Sequence, residues 1–328
     1  MRHINIPIFI PHMGCPNACV FCNQRSISGH MEFNLCDVER DIEEVLSTVC
    51  EGDTCEIAFF GGSFTGIDRG LMISLLDIAQ KYIDEGRVEC IRLSTRPDYI
   101  NSEILNILSR YGVRTVELGL QSMDDCVLSA SKRGHDSAVA LDACRKVKEA
   151  GFELIGQMMI GLPASSLETE KETARLICRA GADGARVYPT VVFYDTELAQ
   201  MTERGEYTPL DTDDAVMRTA AVLDIFDRSG VPCIRVGICA SENLSDDDKV
   251  LGGANHAAIG ELAMGELYFE RICREIEERG ICGGELTVYV AEGNISKAVG
   301  QKKKNKVLLG RVFYKETVRR SEREQCYH

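Results

Sequence analysis

The chain has 328 residues, of which 37 are Lys or Arg and 51 are Asp or Glu, so its formal net charge is −14. Hydrophobic residues make up 45% and charged residues 27%, which excludes an intrinsically disordered chain, and the length suits one large α/β domain with an appendage, or two domains. No run of about 18 apolar residues occurs, so we expect no membrane-spanning helix. The apolar start of the chain is interpreted as a first strand rather than a signal peptide.

Short β-rich runs alternate with longer amphipathic stretches along most of the chain. Strands are predicted at Asn5–Ile10, Glu56–Phe60, Glu89–Ser94, Thr115–Leu120, Glu153–Ile160 and Gly184–Val192. Helices are predicted at Asp37–Val49, Arg69–Gly86, Ser102–Tyr111, Ser137–Ala150, Leu167–Ala180 and Asp213–Ser229. Six βα units in succession predict an α/β fold, a partial (β/α)6 TIM-type barrel of parallel strands. Such barrels place their chemistry at the C-terminal ends of the strands.

The pattern changes after about residue 235. A small C-terminal α+β extension is predicted there, with a helix at Gly265–Arg279, a strand at Glu285–Val290, a short helix at Ile295–Gly300 and a strand at Lys306–Tyr314. We therefore expect a barrel domain at 1–235 and a small domain at 236–328.

Fifteen cysteines are present, an odd number in a large chain without a recognisable export signal, which favours a reducing cytoplasm over disulfides. Twelve are scattered, and we expect most of these to be small buried hydrophobic residues. The other three, Cys15, Cys19 and Cys22, form a CxxxCxxC directly after the first strand. Three thiolates can hold a [4Fe–4S] cluster and leave one iron open, whereas a structural zinc site takes four ligands. The alternative is a zinc site with His12 or Cys36 as the fourth ligand.

With Phe21 before its last cysteine, this segment resembles the signature of the radical S-adenosylmethionine (SAM) superfamily. The resemblance implies that Cys15, Cys19 and Cys22 ligate the cluster and that SAM binds its open iron. It also implies that Phe21 packs near the adenine of SAM and that reduced ferredoxin or flavodoxin donates the electron. Reductive cleavage of SAM to a 5′-deoxyadenosyl radical is then the expected chemistry, which the cofactors carry and the protein positions.

Further motifs follow the second and third strands. Gly61, Gly62 and Ser63 are similar to the family's glycine motif, which holds the amino group of SAM, although Ser63 stands where the family often has an acid. Arg96 ends the third strand. Its guanidinium is predicted to clamp the SAM carboxylate or a substrate acid, with a surface arginine beside a turn as the alternative.

The fourth and fifth strands carry similar motifs. Glu117 and Gln121 are predicted catalytic residues on one face of the fourth strand, and Gln121 and Ser122 are expected to reach SAM. Backbone groups at Ile160 and Gly161, which end the fifth strand, are expected to read the adenine edge. A buried strand ending in a turn is the alternative for that segment.

The sixth strand, with Tyr188-Pro189-Thr190, and the later Gly205-Glu206-Tyr207-Thr208-Pro209 resemble the radical SAM core of the Elongator catalytic subunit. The resemblance covers roughly residues 6–240. We expect no acetyltransferase domain, because only about ninety residues follow the barrel.

Charge is distributed unevenly, since residues 297–328 carry +7 and the remainder −21. Lys302, Lys303 and Lys304 are predicted to contact tRNA phosphates, with a solvated surface loop as the alternative. The predicted function is that of a cytoplasmic radical SAM enzyme that modifies a tRNA base. The alternatives are a radical SAM enzyme acting on a small carboxylated or porphyrin-like metabolite, and a non-catalytic zinc or Fe–S protein.

Overall fold

The centre of the molecule is a sheet of seven parallel strands, in a computed structural model that describes residues 2–10, 13–15, 19–23, 33–238, 249–313 and 315–320. The strand order is β1-β2-β3-β4-β5-β6-β8. These strands are β1 (His3–Ile10), β2 (Thr54–Gly61), β3 (Cys90–Thr95), β4 (Val113–Gln121), β5 (Glu153–Ile160), β6 (Gly184–Pro189) and β8 (Cys233–Val236). The sheet curls into a half-barrel, which confirms the predicted partial α/β barrel with seven strands instead of six.

Two strand predictions need correction. The seventh strand, β8, escapes prediction because it is four residues long and none of its residues is fully buried. The predicted strand Gly184–Val192 is two strands, β6 and β7 (Val191–Phe193). Thr190 separates them, since its N–H and its hydroxyl both donate to the carbonyl of Ile160. Strand β7 then pairs antiparallel with β9 (Val250–Gly253).

All six helices predicted for the barrel are present. With two that were not predicted as separate helices, they are α1 (Val38–Leu46), α2 (Arg69–Asp84), α3 (Ser102–Leu108), α4 (Asp125–Ala130), α5 (Ser137–Glu149), α6 (Leu167–Arg179), α7 (Glu197–Glu203) and α8 (Thr212–Arg228). Several begin at a side chain that accepts a bond from the first helical turn, as Asp68, Asn101, Asp136, Ser166 and Asp211 do. These capping residues stabilise the helix starts that the sequence pattern indicates.

The two faces of the sheet differ in chemistry. The outer face is packed against the helices in one hydrophobic core, to which it contributes Ile6, Ile57, Leu93, Val116 and Val187. The inner face carries polar residues in matching register, among them Glu56, Arg92, Glu117, Gln157 and Arg186. A closed barrel fills its interior with apolar side chains. The inner face is therefore suited to line a cavity rather than a second core.

The C-terminal extension begins with α9 (Ile259–Glu278), whose Ala263 and Leu267 pack against Ala220 and Leu223 of α8. Strand β10 (Glu285–Val290) pairs in parallel with β11 (Lys315–Arg320), and α10 (Ile295–Val299) and α11 (Lys304–Leu309) lie between them in the chain. The small α+β extension is thus present. The predicted division into domains at 235 falls within β8 and stays a prediction.

The predicted strand Lys306–Tyr314 is wrong, since residues 304–309 form α11 and the strand starts at Lys315. Leu309 at the end of α11 is buried, while Val307 in the same helix is exposed, whereas residues two apart would share a face in a strand. The side chain of the buried Asn305 donates to the carbonyl oxygens of Gly265 in α9 and Ala298 in α10, and so attaches α11 to these two helices.

The scattered cysteines differ from expectation. Of those that lie in the described ranges, only Cys55, Cys90 and Cys144 are buried. Cys178, Cys233 and Cys273 are half-buried, and Cys36, Cys50, Cys126 and Cys282 are exposed. Separately, no helix in the described part of the chain combines the length and the apolar character needed to cross a membrane.

Candidate active site

The three motif cysteines follow β1 at the C-terminal edge of the sheet. Cys19 is buried, and Cys15 and Cys22 are half-buried. The loop is anchored on both sides of Val20, whose N–H donates to the carbonyl of Ser131 at 3.3 Å and whose carbonyl accepts from Leu198 N–H at 2.8 Å. Barrel enzymes use this edge for chemistry, so the loop is placed where a catalytic cluster is expected.

No three His, Cys, Asp or Glu side chains within the described ranges stand close enough together to hold a metal ion, and residues 16–18 between Cys15 and Cys19 lie outside those ranges. Of the alternative fourth zinc ligands, His12 also lies outside the described residues, and Cys36 is exposed. Cluster ligation by the three cysteines stays a prediction. Burial raises the pKa of the Cys15 thiol, and the nearby Arg96 charge acts in the opposite direction.

Three glycines bring the end of β2 against the cysteine loop. Gly62 N–H donates to the carbonyl of Ile10, and a Cβ on Gly62 would lie 2.0 Å from the carbonyl oxygen of Met13. A Cβ on Gly14 would lie 2.2 Å from the carbonyl oxygen of Ser63. Gly61, with φ +106°, is in a conformation that favours glycine. The predicted SAM-binding residues Gly61 and Gly62 therefore also have a structural role, because they seat the segment that carries Cys15.

The hydroxyl of Ser63 is fully buried and faces away from solvent. It lies 2.8 Å from Thr95 Oγ1 and accepts from the backbone N–H of Arg96 at 3.2 Å. Thr65 Oγ1 lies 2.6 Å from the same threonine oxygen. This chain of hydroxyls ties the end of β2 to the end of β3, so the serine that stands in place of the family's acid links two strand ends.

Two buried arginines converge on Cys19. The Nη1 of Arg133 donates to Cys19 Sγ at 3.2 Å, and its Nη2 donates to the carbonyl of Gly119 at 2.5 Å. Arg96 donates through Nη2 to the carbonyl of Arg133 at 2.5 Å and reaches Cys19 Sγ at 4.0 Å. Its guanidinium also holds Asp98 with two bonds of 2.9 Å. The fork predicted to clamp a ligand carboxylate thus already binds a carboxylate of the protein.

Gln121 combines backbone strain with an unsatisfied buried oxygen. It has φ +67°, and its Oε1 is buried and has no hydrogen-bond partner among the residues that the structure describes. The Nε of Arg133 is likewise buried, and the described part of the chain offers it no hydrogen-bond partner. A Cβ on Gly119 would lie 3.1 Å from Gln121 Nε2 and 3.5 Å from Arg133 Nη2, so these two polar groups border the same glycine. Strained backbone and orphaned polar atoms concentrate at functional sites.

These features fit the cofactors that the sequence predicts. Cys19 offers a soft sulfur ligand beside a positive charge, and the orphaned atoms of Gln121 and Arg133 offer partners to a polar ligand next to it. Gly119 leaves room between them that a side chain would fill. The donor set therefore suits an iron–sulfur centre with a polar organic ligand.

Glu117 lies deeper on the inner face and is fully buried. It accepts from Arg92 Nη1 at 3.0 Å, from Arg186 Nη2 at 2.8 Å and from Gln157 Nε2 at 2.6 Å. Arg92 also donates to Glu56 at 2.6 Å. Both carboxylate oxygens of Glu117 thus have protein partners, and its predicted catalytic role stays a prediction.

The remaining predicted contacts lie around β5. Ser122 is buried, its Oγ lies 3.4 Å from Thr173 Oγ1 of α6, and it accepts from Asp124 N–H. The N–H of Gly161 donates to Glu170 Oε1 at 2.7 Å, and its carbonyl accepts from the Tyr207 hydroxyl at 2.5 Å. Burial raises the pKa of Glu170. Backbone groups expected to read adenine are therefore already bonded within the protein.

Phe21 is half-buried in a small hydrophobic cluster outside the main core, and its role near adenine stays a prediction. The cluster brings together Val20, Phe21, Val192, Leu198, Ala199, Met201, Tyr207 and Leu251. It joins the cysteine loop to α7 and to the loop that follows α7. This contact fixes the position of Phe21 relative to the end of β5.

Sequence reasoning singled out none of Arg133, Glu170 and Tyr207 as site residues. Tyr207 belongs to Gly205-Glu206-Tyr207-Thr208-Pro209, a segment that carries the family resemblance, which was the available signal. Glu170 lies inside an ordinary amphipathic helix. Its role becomes visible only when α6 is packed against the end of β5.

The three lysines of the predicted phosphate contact differ in their surroundings. Lys302 and Lys303 are exposed and have φ of 51° and 63°. Lys304 Nζ pairs with Glu266 at 3.1 Å. Two consecutive lysines in the left-handed region form a tight turn, which the buried Asn305 attaches to α9 and α10.

Two protein-family models match this chain. The model of the radical SAM superfamily matches residues 9–177, and that of the Radical_SAM C-terminal domain matches residues 182–271. The chain is 33% identical over 146 residues to the tRNA uridine(34) acetyltransferase of Methanocaldococcus infernus, which covers 43% of this chain and 27% of that protein. It is 28% identical over 209 residues to Elongator complex protein 3 of Homo sapiens, a match that covers 62% of this chain and 37% of that protein. The chain spans about a third of the length of these curated relatives.

Among solved structures, the chain is similar to the archaeal Elp3 of Methanocaldococcus infernus with an N-terminal deletion. The match covers 85% of this chain and 63% of the Elp3 chain, with a TM-score of 0.63 and 21% sequence identity. The match to methylornithine synthase covers 85% of this chain and 82% of the synthase chain, with a TM-score of 0.52 and 15% sequence identity. These identities establish a shared fold. Since the family model matches more than half of the sequence and the cysteine loop lies at the catalytic edge of a half-barrel, the chain belongs to the radical SAM superfamily of enzymes, which use a [4Fe–4S] cluster and SAM.

Proposed function

We propose that this radical SAM enzyme acts on a base of tRNA. The observation that carries the proposal is the sequence similarity of the core to proteins named tRNA uridine(34) acetyltransferase, which reaches 33% identity. Elongator complex protein 3 of Homo sapiens is similar over 62% of this chain. Reduced ferredoxin or flavodoxin is proposed as the source of electrons.

The roles of the residues follow from their positions. We propose that the cluster is ligated by Cys15, Cys19 and Cys22. The reduced cluster, when bound, would supply the electron that cleaves SAM. Arg133 places a positive charge 3.2 Å from the sulfur of Cys19, which stabilises added negative charge at that sulfur. The unpartnered oxygen of Gln121 accepts a hydrogen bond from the ligand beside it.

Anaerobic reconstitution with iron and sulfide tests the cofactor assignment. We expect roughly four irons per chain, brown absorbance, and release of 5′-deoxyadenosine from SAM when dithionite is added. Cys19→Ala is expected to lose all three. Cys36→Ala is the matched control, because Cys36 is an exposed cysteine outside the motif, and it should retain all three. Colourless protein loaded with zinc would contradict the assignment.

The substrate is tested with the same reconstituted enzyme. Anaerobic cell extract is separated into tRNA and small-metabolite pools, and 5′-deoxyadenosine formation is measured with each pool. We expect stimulation by the tRNA pool and loss of that stimulation after the pool is treated with ribonuclease. Stimulation by the metabolite pool alone would overturn the tRNA proposal and favour a small carboxylated or porphyrin-like substrate.

A further inference from the structure

The turn that follows β5 is held by protein groups on three sides. Its Gly161 has φ +78°, and the N–H of Gly161 donates to Glu170 Oε1 at 2.7 Å. The carbonyl of Gly161 accepts from the Tyr207 hydroxyl at 2.5 Å. The preceding carbonyl, that of Ile160, accepts from Thr190 Oγ1 at 2.6 Å. The turn is therefore rigid, and its position depends on side chains from α6, from the residue after β6 and from the loop after α7.

The loop after α7 lies directly on this turn. A Cβ on Gly161 would come within 2.7 Å of Leu210 Cδ1, so Leu210 occupies the space beside the glycine. Three residues earlier, Tyr207 makes its hydrogen bond to the same glycine. The start of the loop is fixed by Glu206 and Tyr207, whose N–H groups both donate to the carbonyl of Met201. One short segment thus contacts Gly161 through a polar group and an apolar group.

Tyr207 also contacts the other side of the site. Its ring belongs to the hydrophobic cluster that contains Val20 and Phe21 of the cysteine loop. That cluster is closed by α7, where Leu198 N–H donates to the carbonyl of Val20 at 2.8 Å. The ring of Tyr207 therefore lies in the same hydrophobic cluster as Val20 and Phe21, while its hydroxyl donates to the turn after β5. Burial raises the pKa of Tyr207 and keeps the phenol protonated as a donor.

We infer that Tyr207 is a positioning residue for SAM. It sets the separation between the Phe21 side of the cysteine loop and the Ile160–Gly161 turn, and the adenine ring is bound between them. The inference rests on the proposed function and on the expectation from the sequence that adenine contacts these two elements, and it assigns a role to the loop at 205–210. Loss of the hydroxyl leaves the Gly161 carbonyl without this donor, so the turn can move away from the ring.

The test compares binding of SAM with binding of methionine, which lacks the adenosine part. Tyr207→Phe keeps the ring in the cluster and removes only the hydrogen bond. Tyr111→Phe is the matched control, because its hydroxyl also makes one hydrogen bond, to Asp77 at 2.9 Å, in another part of the molecule. Both variants are reconstituted anaerobically, and iron content, thermal midpoint and the two affinities are measured.

We expect Tyr207→Phe to weaken SAM binding about tenfold, the upper range for one hydrogen bond, with iron content and methionine affinity unchanged. Tyr111→Phe should match the wild type in all of these. Unchanged SAM affinity in Tyr207→Phe, or an equal loss of SAM and methionine affinity, would overturn the inference. A wild-type protein that holds four irons and binds no SAM would overturn the proposed function as well, and the failure of the wild type distinguishes that case.

A second variant covers the possibility that Tyr207→Phe does not fold. Leu210→Ala opens space beside Gly161 and leaves the hydrogen bond in place. We expect it to weaken SAM binding by a smaller factor, about threefold, again with methionine affinity unchanged. Wild-type SAM affinity in Leu210→Ala would contradict the role of this loop.

Discussion

The guanidinium of Arg133 joins the thiol of Cys19 to the end of β4, with Nη1 3.2 Å from Sγ and Nη2 2.5 Å from the carbonyl oxygen of Gly119. Arg133 is 5% exposed, so its charge acts where water screens it little. Hydrogen bonds to cluster sulfurs and nearby charge are among the factors that set the reduction potential of an iron–sulfur centre. If Cys19 ligates the cluster, as proposed, Arg133 is placed to make reduction of that cluster easier.

Replacement of this arginine is expected to lower the cluster potential. Arg133→Met removes the charge and the bond to sulfur but fills a similar volume. We expect a shift of the order of 100 mV to more negative potential, the equivalent of about 2 kcal/mol for one electron. Dye-mediated titration monitored by electron paramagnetic resonance measures it. Arg114→Met, at an exposed pair with Glu89, is the control, and an equal potential in both variants would contradict the argument.

Glu117 is expected to matter first for stability. Glu117→Gln leaves Arg92 and Arg186 on the inner face without their shared carboxylate, which is expected to cost about 3–5 kcal/mol of unfolding free energy. Denaturant unfolding measures this. Glu89→Gln, at an exposed ion pair 3.7 Å long, should change stability by less than about 1 kcal/mol. If Glu117→Gln retains wild-type stability and fails to cleave SAM, a direct catalytic role is supported instead.

Gly62 is expected to be essential for cluster incorporation. In Gly62→Ala the new methyl group would lie 2.0 Å from the carbonyl oxygen of Met13, so the segment leading to Cys15 must move. We expect iron content after reconstitution to fall at least severalfold. Gly265→Ala, in α9, is the control, because the new methyl group would lie no closer than 3.6 Å to the nearest described atom outside the helix backbone. Inside a helix, alanine is more stable than glycine by about 0.5–1 kcal/mol. Equal iron content in the two variants would show that the contact is not needed.

His135 is expected to make stability dependent on pH. Burial lowers the pKa of His135 to about 4, below the ordinary value near 6.5. Between these values the unfolded chain binds a proton and the folded chain does not, so stability is full above about pH 6.5 and falls as the pH decreases toward 4. The loss reaches about 2 kcal/mol by pH 5. Denaturant unfolding at pH 7 and pH 5 should show a smaller difference for His135→Gln than for the wild type, and an identical difference would contradict the prediction.

Lys302 and Lys303 are expected to contribute to tRNA binding. Lys302→Gln/Lys303→Gln removes two exposed charges and keeps side chains of similar length. If each lysine contacts a phosphate, the slope of log affinity against log salt decreases by about 2. Filter binding at several salt concentrations measures it. Lys315→Gln is the control, since Lys315 is engaged with Glu285 at 3.1 Å. Equal slopes for the double variant and the wild type would favour a solvated surface loop.

Much of the fold could be predicted because its signals are local. Strand β5 has both predicted bounds, Glu153 and Ile160, since an apolar run lies between a helix-ending glycine and the turn at Gly161-Leu162-Pro163. Strand β8 could not be predicted, because it is only four residues long, none of them is fully buried, and among the described strands it pairs with β6 alone at the edge of the sheet. The segment at Lys306 is rich in apolar residues and reads equally as a strand. In the structure the helix buries Leu309 and leaves Val307 exposed, which a strand could not do because residues two apart share its face.

By itself, the sequence determined the set of predicted ligands: three cysteines at a spacing that suits one cluster, directly after the first strand. Spacing along the chain suffices there, because the ligands lie within eight residues. Only the tertiary structure decided what surrounds them. Arg133 reaches Cys19 across 114 residues, Glu117 meets Arg186 across 69, and Tyr207 meets Gly161 across 46. Such pairs arise because parallel strands bring their C-terminal ends to one edge, and a periodicity of two or of 3.6 residues contains no information about them.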